Sequence, residues 1–382
     1  MFSNILFLIL LCAGAYFFTV KVKQIIRNIR LGRPLDRSDR KAERWKVMAR
    51  VALGQSKMID RPVAALFHIF IYVGFIIINI EVLEIIIDGI FGTHRILSFL
   101  GRFYDFLIGS FEILAVLVLA ACVVFLARRN ILKLKRFWST EMTSWPRTDA
   151  NLILVIEILL MSAFLTMNAA DWILQQHGFS HYHSAGFFPV SRYLTLLFSN
   201  MNDEQLYILE RSCWWFHIIG ILAFLNYVPY SKHFHILLAF PNTWYSNLNA
   251  KGAFNNLESV TNEVRIMLDP SAVAPPSSNE YIPQRFGAKD INDLTWKQLM
   301  DAYSCTECGR CTSVCPANIT GKKLSPRKIM MDTRDRLEEV GNNLNQKSAT
   351  PFEDGKSLLG NYITNEELWA CTLVMLALKH AL

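Results

Sequence analysis

Apolar residues gather in five long runs, at about 1–20, 62–87, 103–127, 151–174 and 206–238, with polar stretches between them. At about 1.5 Å of rise per residue, roughly 20 residues in a helix cross the ~30 Å hydrocarbon layer of a bilayer. Each run therefore predicts a transmembrane helix. The first run has no basic residue before it, so it reads as a retained helix rather than a signal peptide. Lys and Arg crowd 21–61 and 128–136, whereas 175–203 holds few of them. By the positive-inside rule this places the N-terminus outside and the C-terminus inside a cytoplasmic membrane. Beyond the fifth run the pattern changes. Residues 270–283 are rich in Pro and Ser and read as an extended linker. The stretch 291–303 reads as helical, and Ser325-Pro326 forms a capped helix start that continues through Arg327 to Val340.

Composition agrees with a chain of two characters. Of 382 residues, 52% are hydrophobic and only 19% charged. That is too apolar for an ordinary soluble protein and too interrupted for one core. The formal charge of +7 could suggest nucleic acid, but the basic residues sit between hydrophobic runs. They fit a lipid bilayer, and nucleic acid is excluded as a partner.

The strongest chemical signal is Ser304 to Pro316, S-C-T-E-C-G-R-C-T-S-V-C-P. Cys305, Cys308, Cys311 and Cys315 follow C-x2-C-x2-C-x3-C-P, the bacterial ferredoxin spacing for a [4Fe–4S] cluster. Gly309 suits the tight backbone of such a loop. A zinc site would separate two C-x2-C pairs by a longer loop, and four cysteines this close cannot all pair as disulfides without strain. In the reducing cytoplasm thiolates hold clusters instead. Cys12, Cys122 and Cys213 lie in apolar runs and read as packing residues. The expected fold is thus an all-α membrane bundle of five transmembrane helices followed by a small α-helical ferredoxin-type cytoplasmic domain. Its parts are a membrane domain at 1–245, a linker at 246–287 and an iron–sulfur domain at 288–382.

Ligating side chains at membrane depth are functional candidates. His68 lies near the inner end of the second run. His217 and His235 are 18 residues apart on the fifth, which in one unbroken helix is five turns and puts both on one face, ~27 Å apart. In antiparallel helices His68 and His235 reach similar depths, the arrangement a bis-histidine haem b needs. His94, His177, His181 and His183 fall in loops and read as surface residues. Glu112 and Glu157 are further carboxylates within the runs.

The stretch His217 to His235 (H-I-I-G-I-L-A-F-L-N-Y-V-P-Y-S-K-H-F-H) resembles the last helix of the gamma subunit of respiratory nitrate reductases, as does A-L-F-H-I at Ala65 to Ile69 on the second run. That family is a five-helix diheme cytochrome b that oxidises quinol. C-T-E-C-G-R-C-T-S-V-C-P with N-I-T-G-K-K-L-S-P-R-K resembles the two-cluster ferredoxin module joined to related cytochromes in heterodisulfide reductase-like complexes. The resemblance implies that His68 and His235 hold one haem b and that His217 matches one ligand of a second. The partner position for that second haem is Ile78, so one haem is expected, with two as the alternative. Without iron, His217 could hydrogen-bond a quinone, with Asn79 or Glu81 as helpers. Hydrogen bonding between helices is the plainer role for all three.

A two-cluster ferredoxin needs a second motif, because the fourth Cys of each motif ligates the other cluster. L-W-A-C-T at Leu368 to Thr372 resembles its start, yet Leu373 to Leu382 contains no Cys. Back-translating those ten residues and reading from the third base gives C-N-A-C-T-E-A-C-P. One missing base after Thr372 would restore C-x2-C-x2-C-x3-C-P from Cys371. The reading is a domain truncated or frameshifted after 372, against an ordinary apolar C-terminal helix. As written, Cys305, Cys308 and Cys311 serve one cluster, while Cys315 and Cys371 serve another, or Cys371 closes a single one.

The functional expectation is a membrane electron-transfer subunit linking the quinone pool, haem b and one or two cytoplasmic [4Fe–4S] clusters. By the resemblance its partner is a cysteine-rich heterodisulfide reductase-like subunit or a flavin dehydrogenase. No Gly-rich dinucleotide motif suggests that this chain binds flavin or nicotinamide itself. Two rivals are an iron–sulfur maturation factor without haem and a non-redox membrane anchor.

Overall fold

The computed structural model describes residues 2–180, 182–250, 253, 258–269, 287–346 and 352–371. Among them the regular structure is helical, with isolated bridges and no strand. In chain order the helices are α1 (Phe2–Ile29), α2 (Lys41–Met48), α3 (Pro62–Phe91), α4 (Arg102–Leu126), α5 (Ser144–His177), the single turn α6 (Ser191–Leu194), α7 (Asp203–Tyr227), α8 (His235–Trp244), α9 (Glu258–Leu268), α10 (Trp296–Ser304), α11 (Arg310–Ser313), α12 (Pro316–Ile319), α13 (Pro326–Asn345) and α14 (Asn365–Trp369). They form two compact units: residues 1–23 with 55–234, and residues 24–54 with 235–382.

The first unit contains five helices long and apolar enough to cross a membrane: α1, α3, α4 with its extension to Ile131, α5, and α7 with its extension to Tyr230. Pro62 opens α3, where its missing N–H costs nothing, and Gly92, at φ +72°, closes it. Asn202 and Gln205 form a reciprocal capping box at the start of α7. α5 packs along α7 and α4, and α4 packs against α3. Phe111, Ala115, Phe164 and Ile218 are among the buried residues of that core, whereas Ile76, Leu83, Phe106 and Phe216 face outward. Apolar side chains on the outside are what lipid requires. Small residues let the helices approach: a Cβ on Gly89 would meet the Phe7 ring at 2.7 Å, and one on Gly220 would meet Leu160 at 2.7 Å.

The fifth run differs from its expected form. A continuous helix over 206–238 would align His217 with His235, but α7 ends at Tyr227 and two tight turns, Val228–Tyr230 and Lys232–Phe234, intervene before α8. Pro229 supplies no N–H to the ladder, and Ser231 is extended (φ −109°, ψ 155°). The Lys232 N–H is taken instead by Asp149 Oδ2 at 3.2 Å, and Tyr227 also donates to Asp149. The two histidines therefore stand on separate helices, and the one-face argument does not apply.

The second unit joins distant parts of the chain. Arg33 N–H donates to the Leu294 carbonyl (2.7 Å), and Trp296 N–H donates back to the Arg33 carbonyl (3.1 Å). Asn28, fully buried, donates to Tyr303 Oη at 3.0 Å. Arg44 is also fully buried and donates to the carbonyls of Trp244 and Ser246, both at 3.0 Å. Within the expected linker, Glu258–Leu268 is helical. The Pro-rich stretch 270–283, His181 and the ten residues of the frameshift reading lie outside the described residues.

Candidate iron–sulfur site and buried polar groups of the bundle

Thr295 and Gln298 cap α10, each side chain accepting the other's backbone N–H, and the helix delivers Cys305 at its end. The chain then turns through two left-handed positions, Glu307 (φ +54°) and Gly309 (φ +71°). Gly309 adopts that conformation freely, whereas Glu307 is held in it by its partners. Arg334 Nη2 donates to Glu307 Oε1 at 2.8 Å, and Arg327 Nη1 donates to the Glu307 carbonyl at 3.4 Å. α11 carries Cys311, and Cys315 immediately precedes Pro316, which opens α12. The Arg327 N–H and Thr312 Oγ1 pair at 3.1 Å, tying the loop to the start of α13, where Ser325 caps the Lys328 N–H.

Cys305, Cys308 and Cys311 are half-buried and close enough to perturb one another's charge. Cys315 is buried instead among Ala317, Leu324 and Ala370, and the residue after Ala370 is Cys371 at the end of α14. Burial pushes the Cys305 thiol up to about 12. At Cys308 burial acts the same way, but the Arg310 guanidinium and N–H overcome it and hold the thiol below its ordinary range. Burial and the neighbouring Cys308 raise Cys311, with Arg327 opposing. Among the described residues no three ligating side chains are already gathered into a metal shell. The fit to an iron–sulfur group rests on the donors: soft thiols on one tight loop, with Arg310, Arg327 and Arg334 beside it to balance thiolate charge. The cysteine spacing pointed to the loop. It did not point to Glu307 or to the arginines of α13, whose only sequence signal is their place in the helix that follows.

In the first unit His217 is 1% exposed, its ring 6.0 Å from that of Phe164. Nδ1 lies 3.1 Å from the Leu160 carbonyl, so Nδ1–H donates and Nε2 is left as the lone-pair nitrogen. Helix-to-helix hydrogen bonding thus engages only one of its two nitrogens. His68 is half-buried on α3, and His235, also half-buried, opens α8 in the second unit. Asn79 donates to the Phe75 carbonyl one turn back on its own helix.

A buried polar network lies at the end of the bundle that carries the α3–α4 loop. Arg95 donates to Asp171 Oδ2 (2.6 Å), Tyr104 Oη (3.1 Å) and Asn168 Oδ1 (3.0 Å). Glu84 accepts from the Leu97 N–H and from Tyr104. Glu112 accepts from Asn168 and from the N–H groups of Val190 and Ser191. His94, expected at the surface, lines the edge of this network, with Nε2 3.6 Å from Asp171 Oδ1. A periodic signal existed: Glu81, Glu84 and Asp88 recur at three- and four-residue steps on one face of an otherwise apolar helix.

Residues 296–317 match the family model described as a 4Fe-4S binding domain. The chain carries such a domain. Over 398 aligned residues, 97% of this chain, it is 29% identical to FadF of Bacillus subtilis, described as a probable iron-sulfur-binding oxidoreductase. Over 381 residues, 91% of this chain, it is 25% identical to the EtfAB:quinone oxidoreductase of Syntrophomonas wolfei. A segment of 46 residues, 12% of this chain and 7% of the relative, is 44% identical to a probable membrane-anchored ferredoxin of Chromohalobacter salexigens. The chain spans about half the length of the first two relatives, 52% and 47%. No solved structure matches. The chain is thus similar to iron–sulfur oxidoreductases and combines a 4Fe-4S domain with five helices long and apolar enough to cross a membrane.

Proposed function

We propose that this chain is a membrane subunit that passes electrons between the quinone pool and cytoplasmic [4Fe–4S] clusters, by way of haem b, to or from a soluble redox partner. The observation that carries this reading is a 4Fe-4S domain and five membrane-length helices on one chain. Quinone enters through the Syntrophomonas relative, whose name states that substrate. When bound, the haem and the clusters would supply one-electron chemistry, and the protein supplies their ligands and charge. Cys305, Cys308 and Cys311 would ligate one cluster, and Cys315 with Cys371 would belong to a second. His68 and His235 would ligate haem b. His217 offers Nε2 either to a second haem or to a quinone, and the Nδ1 bond to Leu160 is the orienting contact that ligating histidines commonly make. The soluble partner would be a flavin dehydrogenase or a cysteine-rich heterodisulfide reductase-like subunit.

The test is a visible difference spectrum of the purified full chain before and after a menaquinol analogue. A b-type band that the quinol raises, lost in His68→Ala and His235→Ala, is the expected result. A protein with iron–sulfur absorption and no haem band would overturn the cytochrome part. An oxidised protein that the quinol leaves unchanged would overturn the quinone part.

A further inference from the structure

We propose that Glu81 is a proton-transfer residue at an internal, water-sized site of the helical bundle, exchanging its carboxyl proton with the surface through His94. This stands whether or not the quinone reading holds. Glu81 is only 4% exposed, and its Oε2 has no hydrogen-bond partner. It lines a cavity of about 30 Å³ whose wall also includes Met167, Trp214 and His94. A water needs roughly 10–15 Å³ of such space and two or more polar neighbours, so the cavity suits one or two waters.

The surrounding carboxylates are already committed. On α3, Glu84 accepts from Leu97 and Tyr104, and Asp88 accepts from the N–H groups of Arg95 and Ile96. On α5, Asp171 receives Arg95, and on α7, Glu210 receives Tyr182 and Arg211. A glutamate serving only to join helices would be engaged as these are. Oε2 of Glu81 is instead left unpaired on a residue that lines the cavity, and an unpaired carboxyl oxygen buried inside a membrane protein can take or give a proton.

His94 provides the way out. It lines the same cavity, and its side chain is 20% exposed, so one ring reaches both the interior and solvent. An imidazole can accept a proton at one nitrogen and release one from the other. In one passage the Glu81 O–H bond breaks as a cavity water gains that proton. The water passes a proton to His94, and the other ring nitrogen releases one to solvent. The reverse sequence returns a proton to Glu81, so each relay group ends as it began and no electrons move.

The test is infrared spectroscopy of the full chain in lipid nanodiscs transferred to D2O. A protonated carboxyl band that is absent in Glu81→Gln, and present at a shifted position in Glu81→Asp, identifies the group. It should shift to the deuterated position within minutes in the native chain and at least tenfold more slowly in His94→Ala. No band lost in Glu81→Gln, a band that stays protonated for hours in D2O, or equal exchange with and without His94 would each overturn the proposal. If Glu81→Gln fails to fold, the Glu81→Asp shift and the His94→Ala rates still decide it.

Discussion

Among the described residues the two units bury charge in different proportions. In the membrane unit the buried ionisable groups are mainly acids (Glu81, Glu84, Glu112, Asp149, Asp171 and Glu210), against Lys21 and Arg95. In the second unit the buried cations Arg44, Lys297, Arg327 and Arg336 stand against Asp290, Glu307 and Glu367. Unpaired charge is costly in either interior, so each excess needs a reason. Thiolate-bound iron–sulfur groups carry net negative charge, and of the buried arginines of the second unit Arg327 acts on the cysteine loop, while Arg336 is held by Asp290 and Asp354. Buried acids in a membrane bundle suit hydrogen-bonded scaffolding and proton handling. The bundle thus buries an excess of acids, whereas the second unit buries nearly matched charge.

The largest effect should come from the cysteine loop. Cys308→Ser is expected to remove one cluster's share of the iron and acid-labile sulfide of the purified protein, while helicity by circular dichroism is kept. Full retention of iron would break the assignment of that interior. Next come the central cations. Arg336 is fully buried and bound by Asp290 (2.8 Å) and Asp354 (2.6 Å), and Arg95 is the hub of the bundle network. Arg336→Met and Arg95→Met should each cost about 3–5 kcal/mol by stranding their acids. Amide exchange along α13 would read the first, and unfolding in detergent the second. Equal, near-zero losses would mean that neither charge excess is structural.

Glycine substitutions sharpen the contrast at smaller scale. A Cβ on Gly341 would meet Asn28 Nδ2 at 2.3 Å, a polar and fully buried neighbour, whereas Gly89 faces the apolar Phe7 ring at 2.7 Å. Overpacking should cost about 1–3 kcal/mol at each. Gly341→Ala should fall at the upper end because it also dislodges the Asn28–Tyr303 hydrogen bond, and thermal midpoints would rank the two. The smallest effect is at the caps: Ser325→Ala on α13 and Asn202→Ala on α7 should each lose about 1 kcal/mol, checked by the same melts.

Apolar run length foretold the membrane helices well, because bilayer thickness imposes a length that a sequence displays directly. Their ends were less legible: α5 extends from Ser144 to His177, past the apolar stretch into residues that only tertiary packing recruits. The break after Tyr227 was written in Pro229, but the histidine register drew the reading across it. In the candidate site, cysteine spacing located the thiols because the four residues from Cys305 to Cys315 fall within one stretch of eleven. Arg327, Arg334 and Arg95 were invisible for the opposite reason. An arginine in isolation looks like solvent-facing charge until folding supplies Glu307 or Asp171 beside it.

The pairing of Arg33 with Leu294 and Trp296, and of Arg27 with the Gly341 carbonyl, sets an order of assembly. A growing chain makes 24–54 early, and its partners in the same unit appear 200 to 314 positions later, from Trp244 for Arg44 to Gly341 for Arg27. Such distant closure is slow in a free chain. Until synthesis reaches α13, the early segment stays an incomplete interface, its Arg27 contact with the Gly341 carbonyl unmade. A fragment beginning at residue 288 would lack that half altogether. The unit that carries the cysteine loop is therefore complete only after the membrane-length helices have been made.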